Sequence, residues 1–203
     1  MSGQPINLRG QVRAPLQALV IGASAGGVEA LLQLLRGLPP SYRLPVVCLL
    51  HVPDRNDSLL AELFARSLQL PAKEAEDKEY LRGGVVYVAP AGYHLSIESD
   101  HSFSLSREEP RHFSRPSIDI LFESAADAYG EHLAGALLTG ANEDGAAGLL
   151  AIQQAGGLTL VQEPADAQVP TMPEAALALL QPDFLLPLAA MRVLLTELDT
   201  PPC

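Results

Sequence analysis

Two hydrophobic rhythms alternate along the chain. Continuous apolar runs at Ala18 to Ile21, Val46 to Leu50 and Leu133 to Leu138 are each about one strand long, the pattern of strands buried on both faces of a parallel sheet. Between them, apolar residues recur three and four apart, as on a helix face. Leu31, Leu32, Leu34 and Leu35 do so within Val28 to Arg36, Leu59, Leu60, Leu63, Phe64 and Leu68 within Ser58 to Leu68, and Ile118, Leu121, Phe122 and Ala125 within Pro116 to Ala128. A helix over Ala146 to Ala155, a strand over Leu158 to Val161, a short strand at Phe184 to Leu186 and closing helices at Met172 to Leu180 and Leu188 to Leu198 complete the pattern. Strands alternating with helices predict an α/β fold, a doubly wound and mostly parallel sheet with helices on both faces and right-handed crossovers. One region breaks step. Val85 to Ala89, Tyr93 to Ile97 and Ser102 to Ser106 are short, alternating and separated by Gly or Asp, which predicts an antiparallel hairpin at one edge of the sheet.

The 203 residues suit one such domain, with residues 1–15 a flexible leader, 16–198 the domain and 199–203 a tail. A net charge of −11 argues against nucleic acid or an anionic membrane as the main partner, since both reward clustered Lys and Arg. No apolar run is long enough to span a bilayer, and Met1 to Pro15 has no hydrophobic signal core; the expectation is a cytoplasmic protein without membrane insertion. Of the two cysteines, Cys48 lies inside an apolar strand and Cys203 is the last residue, so neither a disulfide framework nor a metal site is expected. His94, His101, His112 and His132 are scattered without metal-ligand spacing. No cofactor is expected.

The chemistry is concentrated at the strand ends. After the first apolar run, Gly22-Ala23-Ser24-Ala25-Gly26 matches the G-x-S-x-G elbow, whose glycines let the chain fold sharply enough to leave the serine hydroxyl exposed above the sheet. The same residues also fit a plain structural turn, or a dinucleotide fingerprint in which Ser24 replaces the middle glycine. That fingerprint wants an acidic residue at the end of the second strand, where this chain has His51. Parallel strands place their carboxyl ends on one edge, so Ser24, His51 and Asp144 are expected to meet there. A serine needs a base to take its proton, a histidine titrates near working pH, and a carboxylate on the far ring nitrogen fixes its tautomer. The chain order Ser, His, Asp differs from that of α/β-hydrolases.

These segments, together with His51-Val52-Pro53, Val86-Tyr87-Val88-Ala89-Pro90, Arg115-Pro116-Ser117-Ile118-Asp119, Leu138-Thr139-Gly140, Asp144-Gly145-Ala146-Ala147-Gly148, Ala155-Gly156-Gly157 and Met172-Pro173-Glu174-Ala175, resemble the catalytic domain of the CheB-type protein-glutamate methylesterases of bacterial chemotaxis. The resemblance covers about Leu16 to Leu195. It implies hydrolysis of γ-glutamyl methyl esters on chemoreceptor signalling helices, with release of methanol, and in some members deamidation of receptor glutamines. It also implies Ser24 as nucleophile, His51 as base and Asp144 as orienting acid, with backbone N–H groups at Ala25 and Ala141 as oxyanion candidates and His94 near the cleft. Ala25 stands where the family usually has Thr, Ala141-Asn142 where it has Met-Gly, and Val52 where it has Met, so the pocket is expected to differ in shape. Most members carry a receiver domain in front; with about 15 leader residues against a domain minimum of about 50, the expectation is an uncapped cleft. The basic group Arg107, Arg111, His112 and Arg115 fits either an acidic receptor helix or a solvated loop. A catalytically silent receptor-binding module is the remaining alternative.

Overall fold

The computed structural model describes residues 14–51, 57–111 and 114–199. Strand β1 (Ala18–Ala23) leads into helix α1 (Gly27–Leu35), then β2 (Val46–Leu50), α2 (Asp57–Ser67), β3 (Ala72–Glu74) and β4 (Val86–Val88). A hairpin of β5 (His94–Ile97) and β6 (Phe103–Ser106) precedes α3 (Ile118–Tyr129), β7 (Leu133–Leu137), α4 (Ala146–Gln154), β8 (Leu158–Gln162), α5 (Thr171–Leu179), β9 (Phe184–Leu186) and α6 (Leu188–Leu198). Among the described residues, seven strands form one parallel sheet in the order β3-β4-β2-β1-β7-β8-β9. The continuous apolar runs of β1, β2 and β7 become its centre, with every residue buried. Each face then needs its own cover. Leu19, Ile21, Val46, Cys48 and Leu50 pack under α1, α2 and α6, while Ala18, Val20, Val47 and Leu49 pack under α3, α4, α5 and the hairpin.

The chain runs from β1 outward to β2 on one side and returns to β7 on the other, so the winding direction reverses beside β1. Such a switch point opens a crevice at the carboxyl ends of the strands, the usual ligand position in open α/β sheets. Gly22, the one glycine of β1, is set by this packing: a Cβ there would lie 2.4 Å from Ile118 Cγ2. The missing side chain lets the start of α3 sit directly on the strand end.

Three features depart from the sequence pattern. Val85 to Ala89 does not join the hairpin; β4 is a parallel strand of the main sheet between β3 and β2. Its three residues are buried, and alternation is uninformative in a strand covered on both faces. The hairpin forms as a two-stranded sheet of its own, with Leu95, Ile97 and Phe103 turned into the core beside α3. Strand β3 was not expected: Ala-Lys-Glu is short, half-buried and poor in strand formers, and its pairing to β4 holds it extended. No helix among the described residues is long and apolar enough to cross a membrane.

Candidate active site

Ser24 is the first residue beyond β1 and His51 the first beyond β2. The strands pair in register up to Ala23 and Leu50, and the His51 N–H continues the ladder by donating to the Ala23 carbonyl at 3.2 Å. Adjacent parallel strands run about 4.8 Å apart, so the backbones at Ser24 and His51 are neighbours. The elbow is then bent and pinned. Gly26 takes the left-handed conformation (φ 79°, ψ −1°), open to glycine at little cost, and the Gly27 N–H closes on the Ser24 carbonyl at 2.8 Å. On the other side, the Ser24 N–H donates to the Thr139 carbonyl at 2.9 Å, and the Thr139 hydroxyl donates to the Ala25 carbonyl at 2.8 Å. The ends of β1, β2 and β7 are thereby tied together.

Asp144 lies in the turn between β7 and α4 and is fully buried. Its Oδ2 is 2.8 Å from His51 Nε2 and accepts the Ile118 N–H at 2.7 Å. Its Oδ1 accepts the Ser117 hydroxyl at 2.9 Å and the Asp119 N–H at 3.1 Å. The carboxylate therefore sits on the N-terminus of α3, where unpaired amides and the positive end of the helix dipole favour an anion. Burial alone pushes its pKa up, but the His51 ring, the two amides and the Ser117 hydroxyl outweigh burial and hold the carboxyl below its usual value. An ionised Asp144 fixes the proton on His51 Nε2 and leaves Nδ1 with its lone pair free. Nδ1 is buried and has no hydrogen-bond partner among the described residues. The His51–Asp144 link of the expected triad is thus closed, and no hydrogen bond joins Ser24 to the imidazole.

The amides of Ala25 and Ala141 have no acceptor among the described residues, and both residues are exposed at the strand ends. His94 is buried, 1% exposed, and its Nδ1 accepts the Ser117 N–H at 3.2 Å while its Nε2 donates to the Glu109 carbonyl at 3.1 Å. It stands behind the site and supports the residue that bonds Asp144. Composition and spacing did not single out Ser117 or Asp119 for a role, although both lie in the Arg115–Asp119 segment. Their signal is positional, a hydroxyl and two amides at the start of a helix.

The other histidines lie elsewhere: His101 stacks on Tyr129 with ring centroids 4.2 Å apart, and His132 donates to the Pro15 carbonyl at 2.9 Å. His112, Val52 and Pro53 lie outside the described residues. The arginines of the basic segment are engaged within the chain, Arg107 over the Tyr93 ring, Arg111 in a two-pronged bond to Glu123 at 2.6 and 2.8 Å, and Arg115 on the carbonyls of Arg107 and Glu108. Among the described residues, no group of three or more His, Cys, Asp or Glu side chains is placed to hold a metal ion. Cys48 is buried as expected.

Comparison with known proteins agrees with this architecture. Residues 19–195 match the family described as CheB methylesterase. A "Putative protein-glutamate methylesterase/protein-glutamine glutaminase" of Leptospira interrogans is 44% identical over 183 residues, covering 90% of this chain and 95% of that protein. A "Protein-glutamate methylesterase/protein-glutamine glutaminase 2" of Anaeromyxobacter dehalogenans is 41% identical over 185 residues, 91% of this chain but 54% of that longer protein. Among solved structures, the Thermotoga maritima CheB methylesterase catalytic domain superposes with a TM-score of 0.87 at 29% identity, covering 91% of this chain and all of that one. With one family spanning nearly all of its residues and the same fold in a solved member, the chain belongs to the CheB methylesterase family.

Proposed function

We propose that this protein is a serine hydrolase that removes methyl esters from glutamate side chains of chemoreceptor signalling helices. The observation that carries the proposal is the 2.8 Å bond between His51 Nε2 and a buried, ionised Asp144, formed beside the Ser24 elbow. With Nε2 holding its proton toward Asp144, Nδ1 is the nitrogen left to act as base. Ser24 Oγ attacks the ester carbonyl carbon as His51 Nδ1 takes its proton, and the carbonyl electron pair moves onto oxygen. In this scheme the Ala25 and Ala141 amides, which have no acceptor among the described residues, donate to that oxyanion. Collapse expels the methoxy group, which takes the proton from His51 and leaves as methanol, and Ser24 keeps the glutamyl group as an ester. Water, deprotonated by His51, then attacks that ester and releases the glutamate carboxylate and Ser24. The same steps on a glutamine side chain release ammonia, in line with the glutaminase in the relatives' names. The absence of a Ser24–His51 bond does not weigh against the scheme, because catalytic hydrogen bonds are often long before substrate binds. The dinucleotide alternative lacks its ribose-binding acid, since the residue directly after β2 is His51.

The test is methanol release from a methylated receptor fragment. The purified protein is expected to release it and Ser24→Ala to release none; equal release by both would overturn the proposal.

A further inference from the structure

Two carboxylates are exchanged between α3 and α4. Asp144, just before α4, accepts the Ile118 and Asp119 amides at the start of α3. Asp119, the second residue of α3, is fully buried, and its Oδ1 accepts the Gly145 N–H at 2.9 Å and the Gly148 N–H at 2.7 Å at the start of α4. Each helix N-terminus thus holds the acid of the other, satisfying amides that have no partner inside their own helix. The two first turns touch: a Cβ on Gly148 would lie 2.6 Å from Phe122 Cβ and 3.0 Å from the Asp119 Cα. Gly145, directly after Asp144, is held in the left-handed region at φ 95°, and Asp119 grips its amide. Arg111 Nη2 stands 3.9 Å from Asp119 Oδ2 and faces its charge.

We propose that Asp119 is a positioning residue for the reaction. Its carboxylate fixes the Gly145 backbone, and through it the direction in which Asp144 presents Oδ2 to His51. An ordinary helix cap would supply stability alone. Here the capped amide belongs to the residue after the orienting acid, and that acid caps the helix carrying Asp119, so loosening one cap loosens both. The inference rests on reading Asp144 as the acid of the triad.

The test compares Asp119→Ala, which removes the acceptor, with Asp119→Asn, which keeps an accepting oxygen in its place. At a temperature where circular dichroism shows it folded, Asp119→Ala is expected to lose about 10- to 100-fold in kcat, the scale of a misplacement near 1 Å. Its KM should stay within about twofold, because Asp119 does not touch substrate. The downfield proton resonance of the His51 Nε2–H should weaken or shift, and Asp119→Asn should recover most of both signals. A folded Asp119→Ala with wild-type kcat and an unaltered resonance would overturn the proposal. Asp144→Asn is the control for the triad itself: if that variant keeps its kcat the triad falls, while the resonance still reports whether Asp119 orients Asp144. Should Asp119→Ala fail to fold, Asp119→Glu, which displaces the oxygen by one methylene, is read by the same two signals, and wild-type values for both would again sink the idea.

Discussion

At the residue scale, the site depends on how a carboxylate can be both buried and charged. Asp144 has no exposure, a position that would neutralise a lone acid, and four donors keep it ionised. Asp144→Asn should fold and lower kcat by up to about 10⁴, the effect of fixing the wrong imidazole tautomer; methanol release by the folded variant checks this. Ser117→Ala removes one donor and should cost about 1.5–3 kcal/mol, the worth of a hydrogen bond to a charged group, measured by urea unfolding. The sign of the pH effect follows from the lowered folded-state pKa of Asp144. Its contribution to stability is complete above the unfolded value of about 3.9 and is lost as pH falls through the folded value. Urea midpoints of the wild type should therefore drop more steeply below about pH 4 than those of Asp144→Asn, and parallel curves would contradict the assignment.

At the element scale, the start of α3 controls the site. It supplies the Ser117 hydroxyl and the Ile118 and Asp119 amides to Asp144, and it is seated by Ile118 on the bare Cα of Gly22. Gly22→Ala would place a methyl group 2.4 Å from Ile118 Cγ2, where no rotamer change of the alanine can relieve it. The expected cost is about 1–3 kcal/mol of overpacking, together with a fall in kcat as the helix start lifts from Asp144. Urea unfolding and methanol release measured on the same preparation separate the two effects. A loss of stability with wild-type kcat would mean that the helix start does not govern the acid.

At the scale of the whole molecule, the parallel sheet and its two layers of helices close off the interior. Cys48 in the middle of β2 has no exposure, and burial pushes its thiol pKa far up, so thiolate chemistry requires the sheet to open. A thiol reagent should modify Cys48 only at the rate of global unfolding, with the reaction accelerating through the urea transition. Fast modification of the native protein, located to Cys48 by peptide mapping, would show that β2 opens locally.

Much of this was legible in the residues because it is local. The runs at Ala18 to Ile21, Val46 to Leu50 and Leu133 to Leu138 declare strands buried on both faces, and Gly22 to Gly26 declares a sharp turn with a serine at its tip, since period and turn chemistry are written in consecutive side chains. That Ser24, His51 and Asp144 follow strand ends is legible for the same reason, and it brings them to one edge once the strands are parallel. Strand β3 was hidden because its extension comes from pairing with β4 and from nothing in Ala-Lys-Glu. The parallel pairing of β4 was hidden because three buried residues carry no alternation. The support of Asp144 by Ser117, and the exchange of caps between Asp119 and Asp144, join residues 25 to 29 positions apart. No local pattern specifies such pairs; they exist because the sheet sets α3 and α4 side by side with their N-termini touching, and the unpaired amides there take the nearest buried acids.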